Sequence, residues 1–489
     1  VSGSEWGRLD PRMIVVRPLN ELIGLLPPLA ALVFFGNFDT WRVVTSAGVV
    51  GLVIVYGLLS WVNTKYRITD SQVELHKGVL FRQRRSIPRD RIRTVDLTAK
   101  LGHRLFGLSA VRVGTGQQER TPGEGTVTLD AVTAVEAERL RQALLRRAEH
   151  VEEHADDDGV PIASLDTRWY RYAPLTLSGF ITIGIVIGFL MNLVNELDLR
   201  FSDVGAFRRA LRWLSEAEFS TVIPVVAGFA IVLSVLASLA GYLLQNHNYR
   251  LTRQPDGTVR VRRGLLTTRS VSIEEKRLRG AVLHEPLLLR AGGGGRVTAV
   301  TTGLNKVGGS SLLLPPAPRA EADHVTADVL SVADAPTASP LTQHPTRAKT
   351  RRIVRAVVPM VVIAAALFAL AETAAWPAWL WITAAVLIPI TVLVGLDRYR
   401  ALGHTLTDDY LVARSGSLDR RTVALRRDGI IGWKITRTLF QRRARVFTLT
   451  AVTAAGSGGY PVLDIGDDQG LDLAEQAIPG LIGQFLVED

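Results

Sequence analysis

Six stretches of 18 to 23 predominantly apolar residues, arranged in three close pairs, constrain this chain more than any other feature. An apolar run of about 20 residues spans the roughly 30 Å hydrocarbon layer as a helix, because only a helix satisfies its own backbone there. The first pair is Leu19 to Phe38 and Val43 to Trp61, the second Leu175 to Val194 and Val222 to Leu244, and the third Ile353 to Leu370 and Trp379 to Leu396. Three membrane hairpins are therefore expected, over 19–61, 175–244 and 353–396. Pro27, Pro28, Pro359 and Pro389 inside the runs read as kinks, which membrane helices tolerate.

Basic residues beside the runs set the expected orientation. Lys65 and Arg67 follow the second run, Arg168 and Arg171 precede the third, and Arg250 and Arg253 follow the fourth. Lys349, Arg351 and Arg352 precede the fifth, and Arg398 and Arg400 follow the sixth. By the positive-inside rule both termini and everything outside the hairpins are expected to face the cytoplasm, as in a multi-pass membrane protein. The net charge of +11 suits the anionic face of a bilayer and gives no reason to invoke nucleic acid. The absence of cysteine excludes disulfides, thiolate metal sites and cysteine nucleophiles. Arg8, Arg12 and Arg17 precede an apolar run without a small-residue cleavage site, so no signal peptide is expected.

Between the third and fourth runs, residues 195–221 carry Arg208, Arg209 and Arg212 together with Phe207, Leu211, Trp213 and Leu214, the pattern of an amphipathic helix on the outer surface. Trp61, Arg168, Trp169, Tyr170 and Trp213 are candidate interfacial anchors.

After each pair the same pattern returns. Tyr66-Arg67-Ile68-Thr69, Tyr249-Arg250-Leu251-Thr252 and His404-Thr405-Leu406-Thr407 correspond. A glycine follows each: Gly78, Gly264 and Gly416. Nine positions on comes an aliphatic (Ile87, Ile273, Leu425), and five further another (Ile92, Leu278, Ile430). Alternation in Thr126-Val127-Thr128-Leu129 and Val446-Phe447-Thr448-Leu449 marks half-buried strands. Each unit closes on a helical stretch: Ala137, Leu140, Leu144 and Leu145; then Val325, Val329 and Leu330; then Leu473, Ala477, Leu481 and Phe485. Soluble domains are thus expected over 62–148, 245–332 and 397–489, beside an N-terminal segment 1–18, a linker 149–174 and a mobile linker 333–352 rich in proline and small polar residues.

The run Lys77-Gly78-Val79-Leu80, then Ile87-Pro88-Arg89-Asp90-Arg91-Ile92-Arg93-Thr94-Val95, then Leu105-Phe106-Gly107-Leu108, resembles the bacterial pleckstrin-homology (PH) domain of the membrane-anchored class. The three-hairpin, three-domain layout is similar to that of the YdbT-like bacterial membrane proteins. The third unit departs at Arg426 and Gly429, and the second carries an insertion around Pro255-Asp256-Gly257 and the run Gly292 to Gly295, read as a flexible loop. The resemblance implies three small α+β domains, each a seven-stranded bent sandwich or barrel capped by a C-terminal helix, on a membrane α-helical base.

Arginines crowd the central strands of every unit: Arg82, Arg84, Arg85, Arg89, Arg91 and Arg93; Arg262, Arg263, Arg269 and Arg277; Arg420, Arg421, Arg426 and Arg427. Their forked donors suit phosphate, so anionic phospholipid is the candidate ligand, although the positive-inside rule alone predicts much of this charge. His150-Val151-Glu152-Glu153-His154 fits a metalloprotease spacing but lies among carboxylates without a third ligand. No Walker loop, dinucleotide fingerprint or nucleophile elbow occurs, so no catalytic residue, metal or cofactor is expected. Two functions follow. One is a non-enzymatic, lipid-apposed scaffold for a protein partner, such as a smaller single-unit PH-like membrane protein, with a role in envelope stress or resistance to membrane-active peptides implied by the resemblance. The other is a lipid carrier using a groove between bundle and domains.

Overall fold

A computed structural model describes residues 6–16, isolated positions between 48 and 59, and 61–481 apart from 70, 78–82, 90–91, 93, 115–125, 146–158, 177, 197–208, 210–211, 214–215, 303–310 and 375. The first hairpin and most of the outer loop 195–221 lie outside the described residues.

The first repeat runs β1 (Gly7–Arg8), β2 (Lys65–Ile68), β3 (Gln72–Lys77), β4 (Gln83–Pro88), β5 (Thr94–Ala99), α1 (Leu101–Leu105), β6 (Leu108–Gly114), β7 (Thr126–Thr133) and α2 (Ala134–Leu145). In the second come β8 (Val160–Ser164), α3 (Ser178–Glu196), α4 (Phe219–Asn246), β9 (Arg250–Arg253), β10 (Thr258–Arg263), β11 (Thr268–Glu274), β12 (Leu278–Pro286), α5 (Leu287–Ala291), β13 (Gly294–Thr301), β14 (Leu312–Pro318) and α6 (Arg319–Leu330). The third has α7 (Thr346–Ala374), α8 (Trp379–Arg400), β15 (Gly403–Leu406), β16 (Tyr410–Ser415), β17 (Asp419–Arg426), β18 (Gly432–Thr436), α9 (Leu439–Arg443), β19 (Val446–Val452), β20 (Gly459–Gly466) and α10 (Asp467–Ala477).

Each repeat thus has six strands after its hairpin, in two antiparallel groups of three. The seventh strand comes from before the hairpin. Gly7 pairs with Tyr66, and β8 pairs with β9 from Val160↔Arg253 to Ser164↔Arg250. In the third repeat an isolated bridge, Thr342↔His404, occupies the same place. Both chain ends of a hairpin are therefore fastened to one sheet.

The chain divides into two compact units between Ile273 and Glu274. In the first unit, alternating apolar residues of both strand groups of repeat one, Val73, Leu75, Ile87, Val95, Val111 and Leu129, form a core closed by Ala137, Leu140 and Leu144 of α2. In the second unit, Leu411, Leu425, Phe447, Leu449, Val462 and Ile465 do the same beneath Leu473 and Ala474 of α10. The repeat glycines make tight turns. Gly264 and Gly416 hold φ of +112° and +103°, and a Cβ would lie 2.0 and 2.1 Å from the carbonyl oxygens of Thr267 and Asp419.

Three helices among the described residues are long and apolar enough to cross a membrane: α4, α7 and α8. A fourth is possible by length if the bent pair Thr167–Thr176 and Ser178–Gly188 forms one span. The six expected spans are not shown, since the first hairpin lies outside the described residues.

Three local expectations are corrected. Residues 333–352 are packed rather than mobile: Ala335, Pro336, Thr337, His344 and Ala348 are buried, and Arg319 donates to the Thr337 carbonyl at 3.1 Å. Composition missed this because short polar and proline residues also suit a segment held by specific hydrogen bonds. The glycine run is no flexible loop, since Gly294 and Gly295 open β13 and are buried. The last helix ends at Ala477 instead of continuing to Phe485, because Pro479 lacks an amide donor; Phe485 lies outside the described residues.

Candidate functional site

Consecutive repeats are joined edge to edge. In the first unit β5 of repeat one pairs antiparallel with β11 of repeat two, making a sheet of order β7-β6-β5-β11-β10-β9-β8. In the second unit β12 of repeat two pairs with β17 of repeat three, giving β14-β13-β12-β17-β16-β15. Val95 faces Ser272, and Ala281 faces Ala424. Val95 and Ala281 both stand three positions beyond the leading aliphatic of their strand, Ile92 and Leu278. Ser272 and Ala424 both stand one before the matching aliphatic, Ile273 and Leu425. The two seams therefore share one register. The sheets end at β4 in the first unit and β18 in the second, where no further strand is paired among the described residues.

Charges brace the seams. Arg319 reaches Glu285 of β12 at 2.8 Å, and Glu285 stands opposite Arg420 of β17. In the other seam burial pushes the Asp96 carboxyl up to about 6, while Arg112 and Arg269 pull it the other way. Glu138 of α2 binds Arg141 at 2.7 Å and Arg260 of β10 at 3.2 Å, tying the helix of repeat one to the strands of repeat two.

Each seam meets the foot of a membrane helix. The Leu265 amide donates to the Leu244 carbonyl at the end of α4 at 2.9 Å, and Arg104 of α1 donates to the Leu265 carbonyl. In the second unit the Leu287 amide donates to the Leu418 carbonyl at 2.8 Å, while Asp397 near the end of α8 accepts from Arg290 and Ser417. Leucines stand out at both places: Leu105, Leu265 and Leu266 in one, Leu287, Leu288 and Leu418 in the other. Leu439 and Phe440 of α9, beside the terminal strand β18, are the most exposed of this kind, at 76 % and 73 %.

Most arginines singled out in the sequence are committed to the framework. Arg277 binds Glu274, Arg421 binds Asp419 and Arg426 binds Asp428. Arg427 clasps the end of α10 through the carbonyls of Gln476 and Ala477 and donates to the Asp408 carbonyl in the β15–β16 turn. Arg420 lies 3.7 Å from Asp397, and Arg263 donates to Asn246 at 3.3 Å, with burial drawing its pKa down to about 10. Arg269 flanks Asp96, Arg262 is exposed on β10, Arg84 and Arg85 lie on the terminal strand β4, and Arg89 follows it. Arg82, Arg91 and Arg93 lie outside the described residues.

The repeats have relatives. The bacterial PH domain family matches residues 22–148, 200–338 and 356–474, one region per repeat. This chain belongs to the bacterial PH domain family. It is 21% identical over 491 residues to the UPF0699 transmembrane protein YdbT of Bacillus subtilis (strain 168), covering 95% of this chain and 96% of that one. No solved structure matches.

Of the aromatic residues near the hairpins, Trp61, Trp169 and Tyr172 pack inward, whereas Trp213 is exposed. Trp169 and Tyr172 are buried, with Trp169 6.1 Å from Tyr249, and Tyr170 meets Tyr242 edge-on at 5.9 Å. The six-residue 3-10 turn Thr167–Tyr172 rotates these two rings inward. Trp61 is half-buried against the first PH core and donates to the Leu9 carbonyl at 3.0 Å. Trp213 is 42 % exposed. His150 and His154 lie outside the described residues. Among those described, no cluster of three histidines or carboxylates is placed to hold a metal.

Proposed function

We propose that this protein is a non-enzymatic membrane scaffold that recruits another PH-type repeat onto the free edges of its own. The shared register of the two seams carries this reading. Third and fourth strands of successive repeats pair by one rule, and β4 and β18 end their sheets as an unused third strand and an unused fourth strand. A free, regular edge is a template for strand addition.

The occupant is a separate chain. Left open, β4 and β18 each present a strand edge that no described strand pairs with. The filled seams place an acid on the fourth strand near arginines of the third, as Glu285 does for Arg420. The partner strand for β4 should therefore carry a carboxylate, as a smaller single-unit PH-like membrane protein could supply. In this reading the chain has six spans in three hairpins, and its termini and PH repeats lie on the cytoplasmic side of a bacterial inner membrane, against anionic phospholipid. A role in envelope stress or resistance to membrane-active peptides belongs to it.

The test is photo-crosslinking in native membranes from residues placed at Arg84 and Ile435. Adducts whose peptides map to the fourth-strand and third-strand edges of PH-type repeats in another chain are expected. Adducts to lipid alone, or a β4–β18 adduct within one chain, would refute the scaffold.

A further inference from the structure

A cavity of about 590 Å³ opens in the second unit between the segment Ala338–His344, the start of α7 and the end of α8. Its polar lining is Ser339, Gln343, His344, Lys349, Tyr399, Arg400 and Arg414, with a lysine and two arginines among them and no acid. Several other basic residues of this unit reach carboxylates: Arg319 binds Glu285 and Asp323, Arg290 binds Asp397, and Arg351 and Arg352 bind the buried Asp464. Lys349, Arg400 and Arg414 form no ion pair among the described residues. Arg414 is held in place by its Nε and Nη2, which donate to the carbonyls of Ala401 and Arg400 at 3.3 and 3.4 Å. Its Nη1 has no protein acceptor among the described residues.

A fixed guanidinium, a second one and an ammonium around one solvent-open cavity lack only the anion. Arginine forks match the oxygens of phosphate, and lysine adds a point charge. The cavity also sits where α7 and α8, both long enough to cross a membrane, emerge from the apolar layer, the level at which lipid phosphates lie. We infer that this cavity binds a phosphate group through Lys349, Arg400 and Arg414, carried either by a phospholipid headgroup or by a soluble phosphate compound. The inference rests on the membrane apposition in the function proposed above, but not on the strand edges.

The test uses the full chain, delipidated in a phosphorus-free detergent and followed by native mass spectrometry. It is titrated in one arm with phosphatidylglycerol and in the other with inorganic phosphate. One saturable equivalent is expected, weakened at least tenfold in Lys349→Gln/Arg400→Gln, whose exposed side chains support no fold contact, and again in Arg414→Gln. Saturation by phosphatidylglycerol alone identifies the headgroup, and saturation by inorganic phosphate the soluble source. Binding that never saturates, or that survives all three substitutions, overturns the site. Crosslinking at β4 and β18 would be untouched by that result, so the two proposals fail separately.

Discussion

Asp96 sits in the β5–β11 seam with its carboxyl pushed up to about 6 by burial, against the pull of Arg112 and Arg269. A folded-state value above the ordinary 3.8 means the native state holds a proton that the unfolded chain releases between about pH 4 and 6. Stability therefore falls as pH rises through that window, and at neutrality the buried carboxylate is a cost. Asp96→Asn should raise unfolding stability at pH 7 by about 2–3 kcal/mol and flatten the slope between pH 4 and 6, read by thermal melts in detergent. His404 has the opposite sign. Burial and then His344, 3.0 Å away, depress it to about 4, and Asp464, Arg351 and Arg352 stand behind His344. Its contribution is whole above pH 6.5 and is lost as pH falls towards 4, so His404→Asn should remove part of the acid sensitivity of the second unit. Neither burial could be read from sequence. A histidine or aspartate in an alternating strand looks like a surface residue until the strand beside it is known. The arginines show the same limit from the other side: their clustering was legible, but the carboxylates and carbonyls that occupy most of them come from distant segments.

At the scale of elements, individual strands, the turn glycines and the closing helices were legible, because alternation and fixed offsets are local signals, while the strand number came from the resemblance. The joining of repeats was not, because strand edges carry no sequence mark of what pairs with them. The seventh strand was expected in number, but its origin before the hairpin escaped for a related reason. Two residues at Gly7–Arg8 and one bridge at Thr342 are too short to show a period. Gly280 tests the β12–β17 seam directly. It holds φ of +152° where the β12–β13 pairing shifts register, and a Cβ there would stand 2.0 Å from the Ala424 carbonyl oxygen across the seam. Gly280→Ala should destabilise the second unit by about 2–4 kcal/mol and expose the β17 edge to limited proteolysis, while Ala281→Gly, in the same seam, costs about 1 kcal/mol. The exposed leucines beside the helix feet offer a second reading of the same elements. Because the chain has no cysteine, single-cysteine labels at Leu265, Leu288 and Leu418 are straightforward. Brominated acyl chains should quench all three and spare a label at Asp472 on α10. Equal quenching at every site would argue against close apposition of the seams to lipid.

For the molecule as a whole, membrane helices followed from apolar run length and a threefold repeated unit from recurrence; the PH fold came from the resemblance, and the family match places one repeat in each of three regions. Division into two units, cut inside the second repeat at the end of β11, did not follow, because strands of that repeat are shared with the sheets of its neighbours. The fastening of each hairpin at both ends has a further meaning for how the chain is made. Thr342 leaves the ribosome about sixty residues before its bridge partner His404, with α7 and α8 between them. The third sheet therefore cannot take up its first strand until both helices have been made and the chain has come back to Thr342. Order of synthesis thus decides when that sheet can be completed. A chain stopped inside α7 or α8 leaves Thr342 without its bridge partner, and the sheet open at its first strand.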